Sequence, residues 1–137
     1  MIAIVKSNFN TEITNLLLEG CINELNTQKV TYEIFECPGA VETIGLTKRI
    51  IEKLQPESVI VIGAIIKGDT DHYEYVCQYV INGHSTLSAI SNIPIVFGVL
   101  TTQDEELAME RAALDKMNKG KEFAETALFM IDAYGKI

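Results

Sequence analysis

Val59-Ile60-Val61-Ile62-Gly63-Ala64-Ile65-Ile66-Lys67-Gly68-Asp69-Thr70-Asp71-His72 opens as an apolar run rich in β-branched residues and closes on a polar turn. The run is too short to cross a membrane. Its composition is that of a strand buried on both faces, as in a parallel sheet. It stops at Lys67, and Gly68, a hydroxyl, two carboxylates and a histidine follow within a few residues. Beyond His72 the residues Tyr75, Val76, Tyr79, Val80 and Leu87 recur at helical spacings. The polar turn therefore joins a buried strand to a helix N-terminus. In open α/β sheets ligands bind at that place, and the backbone N–H groups of a helix start attract anions.

The chain has 137 residues, a formal net charge of −8 and 47% hydrophobic residues. That length suits one domain, expected to span residues 1–137, and the hydrophobic fraction supports a substantial core. The charge argues against a nucleic-acid partner, which needs a basic patch, and against an anionic membrane surface. No apolar segment reaches the roughly 18–20 residues of a membrane helix. Met1-Ile2-Ala3-Ile4-Val5 runs straight into the first predicted strand, so no signal peptide is expected. Cys21, Cys37 and Cys77 are odd in number and lack metal-ligand spacing. They read as reduced thiols acting as small apolar side chains, in a cytoplasmic protein without a metal.

The remaining chain alternates strands and helices. Ile2 to Val5 is a short strand, and Ser7-Asn8-Phe9-Asn10 a turn. A helix over Thr11 to Leu25 follows, with Ile13, Leu16, Leu17, Cys21 and Leu25 on one side and Asn10 or Thr11 as its N-cap. Val30 to Cys37 alternates as an edge strand does. Pro38-Gly39 ends it, and a helix runs to about Leu54 with Val41, Ile44, Ile50, Ile51 and Leu54 inward. The helix after His72 extends to about Ser91. Ile95 to Leu100 is a fourth buried strand. Thr102 and Glu105 form a capping box for the next helix, which carries Leu107, Met109, Arg111, Ala112 and Leu114. Asn118-Lys119-Gly120 is a break, and the last helix covers Glu122 to about Tyr134. The order predicts an α/β, flavodoxin-like, doubly wound four-stranded parallel sheet. Its expected strand order is 2-1-3-4, with helices on both faces as a three-layer sandwich.

In such a sheet the carboxyl ends of all four strands share one edge. They bring together Phe9 and Asn10, the loop Pro38-Gly39-Ala40-Val41-Glu42, Lys67 to His72, and Thr101-Thr102. That is an aromatic face, a carboxylate, backbone donors beside a glycine, hydroxyls, and the side chain type that titrates nearest neutrality. The set suits a flat polar ligand, a phosphate and proton transfer. Each residue also has a plain structural reading. Phe9 is either a hydrophobic staple near Ile13 or Thr14 or a platform for a flat ligand, and the feature alone favours the staple. Glu42 either complements a helix dipole or accepts a ligand hydrogen bond. His72 either starts a helix or does chemistry. Asp69 and Asp71 repel phosphate unless they point away or a cation compensates. Arg111 and Lys119 are the candidates, although Arg111 could instead pair with Asp115 along its helix.

Six segments together resemble the lumazine synthase (6,7-dimethyl-8-ribityllumazine synthase) family across essentially the whole chain. They are Phe9-Asn10 with Ile13-Thr14, Pro38 to Glu42, Gly63 to Tyr73, Phe97 to Thr102, Ala108 to Ala112, and Asn118-Lys119-Gly120. The resemblance implies a cofactor-free transferase of riboflavin biosynthesis. It would condense 5-amino-6-(D-ribitylamino)uracil with 3,4-dihydroxy-2-butanone 4-phosphate, releasing phosphate and water. By the same resemblance, Phe9 stacks on the pyrimidine, and Ala40, Val41 and Glu42 hold the ribityl chain and ring edge. Ala64, Ile65 and Ile66 present backbone groups to the uracil. Asp69 and Thr70 cradle the phosphate through backbone N–H groups, Arg111 grips it as a fork, and His72 moves protons. Asn10, Lys67 and Lys119 are supporting residues. Phe97 and Arg111 come from the adjacent subunit, so the site implies a homo-oligomer.

The chain departs from the family pattern in places. Lys67 stands where arginine is usual, losing the planar fork. Val41 stands where an aromatic is usual, and Thr43-Ile44-Gly45 replaces an apolar-proline continuation. The sequence begins almost at the first strand, without the extra N-terminal strand that many relatives lend to a neighbour's sheet. The expected unit is a pentamer, with a sixty-subunit capsid left open. Three alternatives stand beside this reading: an archaeal-type riboflavin synthase, a flavin-binding or receiver module, and a non-catalytic lumazine-binding shell protein. The Phe97 to Lys119 block is closer to lumazine synthase than to the first. Ser7-Asn8-Phe9-Asn10 lacks a receiver's acidic cluster, and Thr70, His72 and Arg111 together speak against a non-catalytic shell.

Overall fold

β3 (Ser58–Ile66) is buried along eight of its nine residues, as a β-branched strand must be when helices cover both faces of its sheet. The computed structural model describes residues 1–137. Around β3 the chain forms β1 (Ile2–Ser7), α1 (Thr11–Thr27), β2 (Tyr32–Cys37), α2 (Glu42–Leu54), α3 (His72–Ile90), β4 (Ile95–Thr102), α4 (Glu105–Ala112) and α5 (Lys119–Gly135). The strands are parallel in the order β2-β1-β3-β4, with β2 at an edge, as the sequence predicts. Side chains alternate across each strand. Ile2, Ile4, Ile60 and Ile62 therefore pack under α1, α4 and α5, and Ala3, Val5, Val59 and Val61 under α2 and α3.

Strand lengths position the site. β1 pairs with β3 only from Ile2 opposite Ser58 to Lys6 opposite Ile62. β4 accompanies β3 to its last residue, Ile66 opposite Thr102, and the Lys67 amide adds a bond to the Thr102 carbonyl. β3 thus outruns β1 and leaves one side of its tip without a strand partner.

Several local expectations are corrected. Val30 and Thr31 precede β2, and β1 and β4 each run two residues further than predicted. The cap of α4 is Asp104, whose carboxylate accepts from the Leu107 amide at 2.8 Å. Thr102 is instead the end of β4, with its hydroxyl donated to the Asp104 carbonyl. α4 stops at Ala112, short of Leu114, and buries only its alanines Ala108 and Ala112. On α2 the buried line is Thr43, Thr47 and Ile50, while Leu54 is exposed. On α3 only Val80 and His84 are buried, and Tyr75 and Tyr79 face outward.

The expected break at Asn118-Lys119-Gly120 is a helix start. Asn118 takes a left-handed conformation (φ 47°), which asparagine tolerates, and α5 begins at Lys119. Gly120 lies against α1: a Cβ there would stand 2.0 Å from the Leu17 carbonyl oxygen. Across the same contact, a Cβ on Gly20 would meet the Asn118 side chain at 2.3 Å. Two glycines therefore let α1 and α5 approach backbone to backbone. Gly120→Ala should force the helices apart and lower stability by about 2–3 kcal/mol, the upper range for overpacking. A urea midpoint shift at fixed protein concentration measures it.

Candidate functional site

The tips of β1, β2 and β3 and the start of α3 enclose a cavity of about 370 Å³. β1 delivers Phe9 and Asn10, and the β2 loop delivers Gly39, Ala40, Val41 and Glu42. The tip of β3 supplies Ala64, Ile65 and Ile66, and the turn beyond supplies Gly68, Thr70 and His72. Tyr73 and Val76 close the wall from α3.

Phe9 is 67% exposed and lines this space, so it does not act as a staple on Ile13 or Thr14. Its turn is held from several directions. The Asn8 amide bonds the Cys37 carbonyl at 2.8 Å. Lys6, buried within β1, donates from Nζ to Asn8 Oδ1 at 2.7 Å and lies 3.6 Å from Glu36. Asn10 is the cap residue of α1, in a left-handed conformation (φ 60°), but its side chain does not cap the helix. Asn10 Nδ2 instead donates to the Ala64 carbonyl at 2.8 Å. That bond reaches the side of β3 that β1 leaves open. Backbone groups alternate sides along a strand. With Lys67 bonded to β4, Ala64 and Ile66 face the open side and Ile65 faces β4. The open tip thus offers hydrogen-bonding groups to a flat polar ligand beneath Phe9.

Thr70, Asp71 and His72 form the start of α3. The His72 amide bonds the Thr70 hydroxyl at 3.2 Å, and Asp71, in the cap position, uses no side-chain bond. No turn hydrogen bond is donated by the amides of residues 68–71. Those N–H groups suit an anion at a helix N-terminus.

Charge decides what the cavity lacks. Glu42 is the one acidic residue in its wall, and no lysine or arginine lines it. Lys67, Asp69 and Asp71 are exposed outside the wall. Arg111 is half-buried on α4 and donates to its own helix at the Leu107 carbonyl, 3.1 Å away, rather than pairing with Asp115. Lys119 lies 3.4 Å from Glu122. Phe97, 39% exposed, sits on β4 beside a second cavity with Ile81, His84, Ser85, Ser88 and Ile95. One chain therefore gathers Phe9, Asn10, Ala40, Val41, Glu42, Ala64, Ile65, Ile66, Thr70 and His72. It leaves Phe97, Arg111, Lys119, Asp69 and Lys67 outside.

The thiols are unsuited to nucleophilic work. Cys37, just before the β2 loop, is pushed up first by burial and then by the Glu42 charge. Cys21 is pushed up to about 12 by burial, and Cys77 is raised chiefly by burial.

Sequence reasoning missed Lys6, Tyr73, Val76 and, above all, His84. His84 falls four residues after Val80, and that helical spacing is the signal that could have placed it on the inward side. It is 2% exposed, with Nε2 2.9 Å from the Thr43 hydroxyl and Nδ1 buried without a partner. Burial pushes it down from 6.5 to about 4.

An open parallel α/β sheet with a cavity at its strand tips, a histidine in the wall and helix-start amides beside it defines a small-molecule-binding protein of the doubly wound class. The 6,7-dimethyl-8-ribityllumazine synthase profile matches residues 1–134. A protein named 6,7-dimethyl-8-ribityllumazine synthase in Limosilactobacillus reuteri is 40% identical over 131 residues, covering 95% of this chain and 86% of its own. One of that name in Coxiella burnetii is 41% identical over 133 residues, covering 95% and 88%. The chain belongs to the 6,7-dimethyl-8-ribityllumazine synthase family and is a transferase of riboflavin biosynthesis.

His84 gives a pH prediction. Its proton affinity is depressed by folding, so the unfolded chain takes a proton first as pH falls. Stability is full above about pH 6.5 and is lost on descent towards pH 4, by about 3 kcal/mol from this group. Urea midpoints at pH 7, 5.5 and 4.5 should show this loss, and His84→Gln should flatten it.

Proposed function

We propose that the cavity at the strand tips binds both substrates of the family's condensation and that His72 transfers its protons. The observation carrying this reading is the convergence of Phe9, Glu42, the open tip of β3 and His72 on one cavity. Phe9 stacks on the pyrimidine. Ala64 and Ile66 meet its polar edge through their backbones, and Ile65 contributes its side chain. Ala40, Val41 and Glu42 hold the ribityl chain, Glu42 accepting from its hydroxyls. The amides of Asp69 and Thr70 hold the phosphate of the second substrate. Asn10 keeps the β1 turn against β3, and Lys67 adds positive charge beside the phosphate turn.

The chemistry needs no protein nucleophile. The 5-amino group of the uracil attacks the butanone carbonyl and an imine forms with loss of water. Removal of a proton from the sugar-derived carbon then expels phosphate. The enol left behind tautomerises to a methyl ketone, and the ribitylamino nitrogen closes the ring on that new carbonyl with loss of a second water. His72, at the rim between the phosphate turn and the ring site, accepts and returns these protons. Much of the rate comes from holding the two substrates together. No cofactor or metal takes part.

The phosphate requires a cation that this chain's own cavity does not provide. In this reading a neighbouring subunit brings Arg111 to the phosphate as a planar fork, with Lys119 behind it, and Phe97 to the ring site. The outward face of α3 supports an assembly, because Tyr75, Tyr79, Ile81 and Ile90 are all exposed in the single chain. The assembly is a pentamer, or a multiple of it, in the cytoplasm.

A spectrophotometric assay with both substrates should show the lumazine absorbance appear; its absence would end this reading. In that assay Arg111→Ala should raise KM for the butanone phosphate by about tenfold to a hundredfold, with far less effect on the pyrimidine, as expected for a lost charge-assisted bond. Equal effects would remove Arg111 from the phosphate. His72→Ala should lower kcat by about a hundredfold without abolishing it and flatten its pH profile. Sedimentation of the purified protein should give a mass near five chains of 15.2 kDa or a multiple.

A further inference from the structure

His84 takes no part in the chemistry above, yet its neighbours fix where its proton lies. A hydroxyl has one proton to donate. That of Thr43 goes to the Ala40 carbonyl. At the 2.9 Å contact with His84 the Thr43 oxygen can only accept. Nε2 therefore carries the hydrogen, and the bare Nδ1 is the buried atom without a partner. The result is a directed chain: His84 Nε2–H to Thr43 Oγ1, and Thr43 Oγ1–H to Ala40 O. Successive bonds of this kind polarise and strengthen one another.

The chain ends at the cavity. Ala40 lines it, and Val41 and Glu42 follow directly. The Ala40 carbonyl also accepts the Thr43 amide at 3.2 Å, so Thr43 grips that peptide twice. The imidazole meanwhile rests 5.6 Å from the Phe97 ring, tilted by 55°. Stability alone does not explain a histidine here, since an apolar side chain would leave no unpaired nitrogen in the core.

We propose that His84 is a positioning residue for the ribityl-bearing substrate. Through Thr43 it fixes the Ala40 peptide and so the direction in which Val41 and Glu42 meet the ribityl chain. The inference rests on the reading above that this rim holds that chain. It goes further by placing a determinant of pyrimidine affinity on α3, outside the cavity wall.

The test uses steady-state kinetics of the assembled protein. His84→Leu removes the donor. His84→Gln keeps one, because its amide nitrogen reaches about as far as Nε2. His84→Leu should raise KM for the ribitylaminouracil about tenfold, the size of one net hydrogen bond. KM for the butanone phosphate and kcat should stay within about twofold, inside the tolerance of distant sites. His84→Gln should restore most of the loss. Thr43→Val should match His84→Leu, and the double variant should add little, since both cut the same chain. The double variant is apolar on both sides, so it answers the question if the single leucine variant fails to fold. An unchanged pyrimidine KM in the folded variants, equal rises for both substrates, or no rescue by glutamine would overturn the proposal. Glu42→Gln separates the two levels. If it raises pyrimidine KM while His84→Leu does not, only the His84 inference falls. If Glu42→Gln changes nothing, the reading of the rim falls and this inference with it.

Discussion

Burial of β3 on both faces is the constraint from which the rest follows. A strand that offers no polar face must lie inside a sheet, with helices above and below. The helices that return the chain make every strand point the same way. All four carboxyl ends then share one edge, and the loops there come from segments far apart in sequence. β3 adds a second consequence by outrunning β1. Its tip needs hydrogen-bond partners on one side, and an unpaired buried backbone is costly. Asn10 supplies one partner, at the Ala64 carbonyl. In the proposed function the substrate ring supplies others.

In the proposed function, electrostatics explains why one chain is not enough. The cavity wall contains a carboxylate and no cation, while helix-start amides alone carry only partial charge. A phosphate dianion needs a full positive charge nearby. Arg111 and Lys119 sit on elements that follow β4, and neither lines the cavity of its own chain. The exposed face of α3 needs cover for a different reason: a helix packed against one sheet should bury more than Val80 and His84 of its nineteen residues. Apolar exposure and missing charge both point to a second copy.

The sequence exposed the parts of this design that depend on local pattern. The β3 run, the polar turn and the strand order follow from period, composition and handedness. The strand-tip residues follow from topology, which is why Phe9, Glu42 and His72 are expected together from the sequence. What stayed hidden depends on contacts between distant segments. Gly120 looked like a helix breaker because its role is the space it leaves for Leu17. Asn10 looked like a cap because its bond to Ala64 spans fifty-four positions. Thr102 looked like half of a capping box, but strand pairing with Ile66 held it in β4 and left the cap to Asp104. Thr43 and His84 each fall on the inward side of their helix, but only their contact gives their polar groups meaning.

A site without a protein nucleophile places unusual demands on its walls. If the rate comes from holding two substrates at reacting distance, then a misplacement of about 1 Å costs as much as a lost functional group. The walls must therefore be stiff where they meet the substrates. Phe9 is held through Asn8, Lys6 and Asn10, and β3 is held by β4 to its last residue. The β2 loop has no strand beyond it, because β2 is at the edge of the sheet. It needs another source of rigidity, and the Thr43 grip on Ala40 provides one. His84 extends that grip into α3, the helix that also carries His72. The rim that would orient the ribityl chain and the group that would move the proton are thereby fixed to one helix.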